Sequence, residues 1–286
     1  MNPDAILTAD WHLRETVPIC RTDNFVDTQW IKVDFVNKLQ QKYMCPILHA
    51  GDLFENWKPS PYLLSMVLER LPDNFHTIYG NHDLPRKNLA EKERSGVFTL
   101  YSAGFLNILN VVHWDEVPNK IASIKIKDRY VLLWHTMVYK GKEPYPNAPN
   151  PVRPFLKKLI DEYAFDLVVT GHNHDTFTEE YDGALLVNPG SILRAEANEL
   201  DYKPSVYLWY ADDNRVERVY IPIEKDVVSR EHIEIVKRNE ANLEAYIERL
   251  NMDWSPEILF EKNMETFLSV NDIRTAVKNN IWEALE

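Results

Sequence analysis

Seven side chains that commonly bind metal ions follow short apolar runs at five places in the chain. They are Asp10, His12, Asp52, Asn81, His135, His172 and His174. A single His-x-His pair is weak support for a metal site, because polar residues often end a strand. Five groups with the same chemistry, each after an apolar run, predict ligands that converge on one site.

The apolar runs predict strands, and the segments between them predict helices. The predicted strands lie within residues 5–12, 45–52, 75–83, 129–136 and 165–175. The predicted helices lie at 25–41, 61–70, 89–102 and 151–164. Strands that alternate with helices are typical of α/β sheets, where ligands bind at the carboxyl ends of the strands. Two hairpins, at 177–191 and 205–223, predict a more antiparallel second half of this region.

The spacing and types of these residues suit two metal ions. In Asp10-x-His12 and His172-x-His174 the one-residue gap predicts that both side chains lie on one side of an extended segment. Asp52 has two carboxylate oxygens that could bridge neighbouring ions. Imidazole, carboxylate and amide ligands together suit manganese, iron, zinc or cobalt better than magnesium or calcium. Two ions about 3.5 to 4 Å apart would supply hydroxide at neutral pH and clamp the oxygens of a phosphoryl transfer.

Composition limits the class of protein. The 286 residues, 45% of them hydrophobic, suit one large globular domain, or one domain with a small appendage. No apolar run is long enough to cross a membrane, the N-terminus does not resemble a signal peptide, and Cys20 and Cys45 form no C-x-x-C pair. We therefore expect a cytoplasmic protein. The net charge of −12 repels polyanions, so a phosphate ligand needs a local positive site.

The motifs resemble a known superfamily. "DWH", "GDLFENWKPS", "GNHD", "WH" and "GHNH" are similar, in order over residues 10–174, to the five blocks of the calcineurin-like metallophosphoesterases. Within it, "ADWHLR", "GNHDLP" and "SAGFLNIL" are most similar to SbcD-type nucleases of double-strand break repair. The resemblance implies an α/β, four-layer αββα fold with two packed sheets. We expect a catalytic domain at 1–225 and a C-terminal helical segment at 226–286.

The resemblance also implies a role for each ligand type. One metal would be held by Asp10, His12, Asp52 and His174. The second would be held by Asp52, Asn81, His135 and His172, with manganese the expected ion at both sites. His82 would be the general acid that protonates the leaving oxygen.

Four further residues are candidates beside the ligands. The family usually has His or Asp three residues after the second motif's Asp, whereas this chain has Glu55, which could still orient His82. Asp83 could cap the following turn or steady His82. Arg14 is a candidate phosphate contact, and Trp57 a candidate platform for a nucleobase. For both, a salt bridge or ordinary packing is the alternative.

The expected function is that of a dinuclear-metal phosphodiesterase, a DNA nuclease that uses metal-bound hydroxide and a histidine acid. A phosphomonoesterase acting on a protein, nucleotide or small molecule is the alternative, and an inactive interaction module is a third reading. The family usually adds a capping domain and a segment that binds an ATPase, for which this chain has few residues. An ATPase partner subunit and a homodimer are both left open, and no membrane is expected.

Overall fold

The computed structural model of the chain describes residues 2–109, 123–238, 244, 256–271 and 273–283. The chain divides into two compact units, Met1–Ser229 and Arg230–Glu286. In the second unit α-helices occupy residues 231–238, Pro256–Val270 and Thr275–Glu283. Most of the predicted helical segment 239–252 lies outside the described residues. The division into a catalytic domain at 1–225 and a helical domain at 226–286 stays a prediction.

The first unit contains eleven described strands, numbered in chain order. They are β1 (Ala5–Thr8), β2 (Ile47–His49), β3 (Phe75–Thr77), β4 (Asn107–Ile108), β5 (Ser123–Ile126), β6 (Arg129–His135), β7 (Leu167–Gly171), β8 (Phe177–Tyr181), β9 (Ala184–Asn188), β10 (Ser205–Tyr210) and β11 (Arg215–Tyr220). Its α-helices are α1 (Phe25–Tyr43), α2 (Pro61–Arg70), α3 (Gly96–Ser102) and α4 (Val152–Glu162).

The strands form two mixed sheets. One has the order β11-β10-β1-β2-β3-β4, in which β1 to β4 are parallel and β10 and β11 are antiparallel additions. The other has the order β5-β6-β7-β9-β8, with β6, β7 and β9 parallel. Both predicted hairpins are present, as β8–β9 and β10–β11. The antiparallel pairs are therefore added around parallel cores that carry the motif residues at their carboxyl ends.

Alternating strand residues build a four-layer structure. In β1, Leu7 lies in a buried cluster with Val131 and Val169 of the second sheet, whereas Ile6 packs in a cluster with α1 to α3. In β6, Leu132 packs with α4 on the outer face of the second sheet. This alternation follows from the two-residue period of a strand. The predicted α/β fold with two packed sheets between helices is confirmed.

Local capping explains where the helices begin. The Asn24 side chain accepts the N–H of Asp27 before α1, and the Ser60 side chain accepts the N–H of Leu63 before α2. The predicted helix at 89–102 is interrupted, because the Ser95 hydroxyl accepts the N–H of Phe98 and starts α3 anew. Residues Leu89–Arg94 instead form a 3₁₀ helix.

None of the helices in the described part of the chain is both long and apolar enough to cross a membrane. Cys20 and Cys45 are buried free thiols.

Three buried cations donate to backbone carbonyls, and one of them, Lys32, links α1 to the segment after β11. The Lys32 ammonium donates to the Pro222 carbonyl, and the Arg194 guanidinium donates to the carbonyls of Leu200 and Glu224. Arg21 donates to the Arg194 carbonyl. Burial, with help from the nearby arginines, lowers the pKa of Lys32 from its usual 10.5 to about 8.

Because Lys32 is buried, the free energy of unfolding of the wild type should depend on pH in a way that the Lys32→Met variant does not show. Between about pH 8 and 10.5 the unfolded chain keeps a proton on Lys32 that the folded chain has lost. The free energy of unfolding of the wild type should therefore rise with pH through this window relative to the variant, by roughly 1 to 3 kcal/mol. Guanidinium denaturation of both proteins below and above the window measures it, and groups common to both proteins cancel in the difference. A difference that does not change with pH would contradict the prediction.

Candidate metal centre

The seven predicted ligands meet at the carboxyl ends of five parallel strands. Asp10 and His12 follow β1, Asp52 follows β2, and Asn81 follows β3. His135 ends β6, and His172 and His174 follow β7. The first three strands belong to one sheet and the last two to the other. The site therefore lies where the edges of both sheets meet.

Three groups of donor atoms could each hold an ion: a group of His12, Glu55 and His82, and two groups among the predicted ligands. Of these two, one consists of Asp10, His12 and His174, and the other of Asp52, His135 and His172, with the donor atoms in each within 4.8 Å of one another. Asp52 also lies near the first of these two, because its Oδ2 is 3.7 Å from His12 Nε2. The Nε2 atoms of His12 and His174 are 3.1 Å apart. The structure thus brings the seven side chains to one place, with Asn81 joined through His135. The assignment of four ligands to each of two ions stays a prediction.

The one-residue spacing works for a different reason from the predicted one. Asp10 and His12 do not lie in an extended segment, because β1 ends at Thr8 and both residues have left-handed backbone angles, with φ of 52° and 46°. Asp52 and His172 also have positive φ, at 57° and 80°. Such angles are costly for residues other than glycine and commonly occur at functional sites. Local turns, and not strand alternation, aim these side chains.

Glycines allow the loops to approach closely. A Cβ at Gly80 would lie 2.0 Å from Oδ1 of Asp52, and one at Gly171 would lie 2.5 Å from the Ala50 carbonyl oxygen. Gly51 has φ of +90° and leaves no room for a Cβ beside His135. Glycine in these motifs therefore serves the contact between backbone segments that carry the ligands.

The hydrogen bonds of His135 show that a cation fits this centre. Its Nδ1 donates to the Ala50 carbonyl, 2.8 Å away, so the neutral ring has a lone pair on Nε2. That Nε2 lies 3.0 Å from Asn81 Oδ1 and 3.2 Å from Asp52 Oδ2. Three hydrogen-bond acceptors thus converge at a buried point. A proton on Nε2 or a bound metal ion would satisfy them. The donor set fits a divalent ion of the imidazole- and carboxylate-binding type.

The close packing of these side chains shifts their pKa values. Burial raises the pKa of Asp10. Burial alone would also raise the pKa of Asp52, but His135 and His12 outweigh it and lower the pKa. For His135 the Asp52 carboxylate outweighs burial and raises the pKa to about 9. Burial, with help from His135, lowers the pKa of His172 to about 4. An imidazole with a raised pKa and one with a lowered pKa are therefore held side by side in this site.

His82 stands at the accessible side of this centre. Its backbone N–H donates to Asp52 Oδ1, and its ring Nδ1 donates to the Glu55 carbonyl oxygen at 2.8 Å. Its side chain is 39% exposed, whereas those of His12 and His135 are 5% and 1% exposed. The ring therefore has its Nε2 available for proton exchange while Nδ1 is held.

The Glu55 carboxylate contacts a ligand more closely than it contacts His82. Its Oε2 lies 2.9 Å from His12 Nδ1 and 2.6 Å from Arg14 Nη2, but 3.9 Å from His82 Nδ1. Partial burial alone would raise the pKa of Glu55, but His12 and Arg14 outweigh it and lower the pKa. A carboxylate beside the second nitrogen of a ligand histidine orients the ring. The contact of Glu55 with His82 is thus a hydrogen bond through the Glu55 backbone carbonyl, and its role in orienting His82 stays a prediction. Arg14 forms a salt bridge here. The role of Arg14 as a phosphate contact stays a prediction.

Asp83 joins the two motif loops. Its fully buried carboxylate accepts the N–H groups of Leu53, Phe54 and Gly80. Burial and the Asp52 charge raise the pKa of Asp83 to about 7, against the opposing effect of the N–H donors. Asp83 therefore fixes the position of the Asp52 loop relative to the loop with Asn81 and His82.

Glu199 is a residue of the site that the sequence did not indicate. Its Oε1 lies 3.7 Å from His174 Nδ1, while its Oε2 accepts the N–H groups of Ala195 and Glu196. Burial alone would lower the pKa of His174, but Glu199 outweighs it and raises the pKa to about 9. Glu199 lies in an irregular loop, 25 residues after His174, and no motif or periodicity marks it.

A pocket of about 510 Å³ opens over the centre. Its walls include His12, Asp52, His82, His172 and His174. Trp57 is not among the residues that line this pocket, and its ring lies 5.8 Å from the Arg94 guanidinium. Its role as a nucleobase platform stays a prediction.

The fold and the donor groups define a metal-dependent phosphoesterase. The chain belongs to the calcineurin-like phosphoesterase superfamily, whose domain model matches residues 5–208. This match confirms the resemblance read from the five motifs.

Individual relatives are more distant. The chain is 31% identical over 173 residues to the DNA double-strand break repair protein Mre11 of Haloferax volcanii, a match that covers 54% of this chain. The chain spans only 38% of the length of that protein. Among solved structures it is similar to an archaeal phosphodiesterase, with 16% identity, 76% of this chain and 99% of that chain covered, and a TM-score of 0.46. It is also similar to zinc-bound Vps29 of Entamoeba histolytica, with 17% identity, 76% of this chain and 98% of that chain covered, and a TM-score of 0.41.

Asp52 contacts both donor groups among the predicted ligands, which predicts that Asp52→Asn lowers the affinity for both ions. An amide keeps the acceptor for the His82 N–H but removes the charge between the two groups. We expect binding of Mn²⁺ to weaken by more than about 100-fold. Isothermal titration with Mn²⁺ measures this, with Asp175→Asn, an exposed acid of the same pocket, as the control. Equal affinities of the two variants would contradict the assignment.

Glu199→Gln tests the residue beside His174. The glutamine oxygen can still accept the N–H groups of Ala195 and Glu196, so the loop keeps its bonds while the charge near His174 is lost. Metal affinity should fall by about 10- to 100-fold. Glu196→Gln removes an equal charge from the wall of the same pocket and serves as the control. If the two variants bind metal equally well, Glu199 does not orient His174.

Proposed function

We propose that this phosphoesterase hydrolyses phosphodiesters with two divalent ions, manganese preferred, and that its substrate is DNA, as in SbcD-type nucleases. One ion would be held by Asp10, His12, Asp52 and His174. The other would be held by Asp52, Asn81, His135 and His172. Iron, zinc and cobalt suit the same donors. When bound, such ions withdraw charge from phosphate oxygens and make water acidic.

The observation that carries the proposal is the position of His82 at the mouth of the ligand cluster. Its Nδ1 is held by the Glu55 carbonyl, so the protonated ring can release the proton on Nε2. The ring lines the pocket beside His12 and Asp52. His82 would give its proton to the departing sugar oxygen, which is a poor leaving group without one.

The charge of the pocket walls favours a diester over a monoester. The described residues that line the pocket include the acids Asp52, Asp175, Glu196 and Glu199 but no lysine or arginine. A phosphomonoester carries up to about two negative charges near neutral pH, whereas a diester carries one. Without cationic side chains in these walls, the smaller charge meets less repulsion. The phosphomonoesterase is therefore the second candidate.

The similarity to a DNA double-strand break repair protein supports a nucleic-acid substrate. The free thiols of Cys20 and Cys45 support a cytoplasmic location. An ATPase partner subunit and a homodimer stay predictions, which light scattering and pull-down experiments can test.

A panel of four substrates with Mn²⁺ tests the proposal. It compares single-stranded DNA, duplex ends, bis-p-nitrophenyl phosphate and p-nitrophenyl phosphate. We expect hydrolysis of the diesters to exceed that of the monoester. A preference for p-nitrophenyl phosphate would contradict the nuclease and support the monoesterase.

His82→Ala tests the acid by its dependence on the leaving group. Loss of the proton donor should lower the cleavage rate of DNA by about 10²- to 10⁴-fold. The loss should be smaller for bis-p-nitrophenyl phosphate, because nitrophenolate leaves without a proton. His232→Ala, a histidine of the other unit, is the matched control. An equal loss on both substrates would show that His82 does not act as the acid.

A further inference from the structure

A second groove lies directly beside the candidate catalytic pocket. It has a volume of about 490 Å³ and shares two wall residues with that pocket, Asp175 and Tyr202. The Tyr202 hydroxyl is held by Thr176 and the Ser191 carbonyl, so the shared wall is fixed. The groove and the catalytic pocket are therefore adjacent on either side of Asp175 and Tyr202.

The charge of the groove differs from that of the pocket. Three cations, Lys140, Lys203 and Arg218, and two acids, Asp175 and Asp201, line the groove, whereas none of the described residues that line the catalytic pocket is a lysine or arginine. Lys140 is paired with Glu179, so Lys203 and Arg218 are the cations to consider. The Arg218 guanidinium donates to the Ser205 hydroxyl and the Lys203 carbonyl, which are neutral acceptors. Within the described chain neither Lys203 nor Arg218 forms an ion pair. Their charges are thus available in a protein with net charge −12.

Aromatic rings accompany these cations. Tyr220, at the end of β11, is 55% exposed, and the Arg218 guanidinium lies 4.6 Å from its ring centroid. Phe177 and Tyr202 also line the groove. An exposed ring beside a guanidinium offers a face on which a nucleobase can stack, while the cations neutralise phosphates.

We propose that this groove binds a single-stranded segment of nucleic acid next to the phosphodiester that lies in the catalytic pocket. Tyr220 stacks a base of that segment, and Lys203 and Arg218 contact its phosphates. The proposal rests on the diesterase function proposed above. It adds the path of the bound strand and the expectation that this strand is single-stranded. A strand within a duplex would have to unpair before it enters, because only an unstacked base can place its face on Tyr220 while the neighbouring phosphates contact Lys203 and Arg218.

Binding of a fluorescent single-stranded deoxythymidine oligonucleotide tests the groove. The full chain with His82→Ala and Mn²⁺ is the background, and anisotropy gives the affinity. Adding Tyr220→Ala should weaken binding about fivefold or more. Adding Lys203→Ala should reduce the slope of log affinity against log salt concentration by about 0.7.

The chain offers a matched control pair. Lys125 lies 5.5 Å from the ring centroid of Tyr130, which is 47% exposed, on the neighbouring strands β5 and β6. Lys125→Ala and Tyr130→Ala remove the same residue types from a surface outside the groove. They should leave the affinity and its salt dependence unchanged.

Turnover by proteins with an intact His82 separates the two proposals. We expect Tyr220→Ala and Lys203→Ala to lower the ratio of oligonucleotide to bis-p-nitrophenyl phosphate cleavage about fivefold or more. If the wild type cleaves neither diester, the proposed function fails. If it cleaves both, but the groove variants match the control pair in affinity and in this ratio, only the groove proposal is overturned. Binding of blunt duplex as tight as that of the single strand, with the same loss in Tyr220→Ala, would overturn the single-stranded form.

Discussion

The convergence of buried acceptors around Asp52 is the constraint on which the rest of the site depends. When the His135 ring is neutral, its Nε2 lone pair and the oxygens of Asp52 and Asn81 meet at hydrogen-bond distance without a proton between them. Asp52 and His135 are each about 1% exposed, so bulk solvent does little to screen this crowding. A positive charge is therefore favoured here. The raised pKa of His135 supplies it as a proton, and divalent ions held by these ligand types would supply it in the proposed metal centre.

Holding such a cluster requires backbone conformations that ordinary strands do not provide. Asp10, His12, Asp52 and His172 all have positive φ, so part of the folding free energy is offset by strain in the loops. The loops are kept in place by buried bonds, such as those from three N–H groups to Asp83. Two packed sheets supply the rigid base below them. The precise positions of the ligands thus depend on the whole first unit.

The acidity of the protein and the expected chemistry are compatible because charge is divided between neighbouring surfaces. The catalytic pocket is lined by carboxylates and imidazoles, which attract cations. The adjacent groove carries Lys203 and Arg218, which form no ion pair in the described chain, beside the acids Asp175 and Asp201. Under the proposed function, an extended diester would be attracted at the groove while its reacting phosphate lay among the predicted metal ligands. Net charge alone would have predicted repulsion of any polyanion.

The sequence by itself determined the class of fold and the seven residues that converge. Apolar runs that end in Asp, Asn or His identified five strand ends, because parallel strands place their carboxyl ends along one edge. Spacing along the chain carries this information, since each motif is local. The tertiary structure alone decided which atoms of these residues face one another, the left-handed turns that aim Asp10 and His12, and the contacts of Glu55 and Glu199. Those depend on residues far apart in the chain, as with His174 and Glu199 or the shared wall of the groove, and no local pattern records such distances.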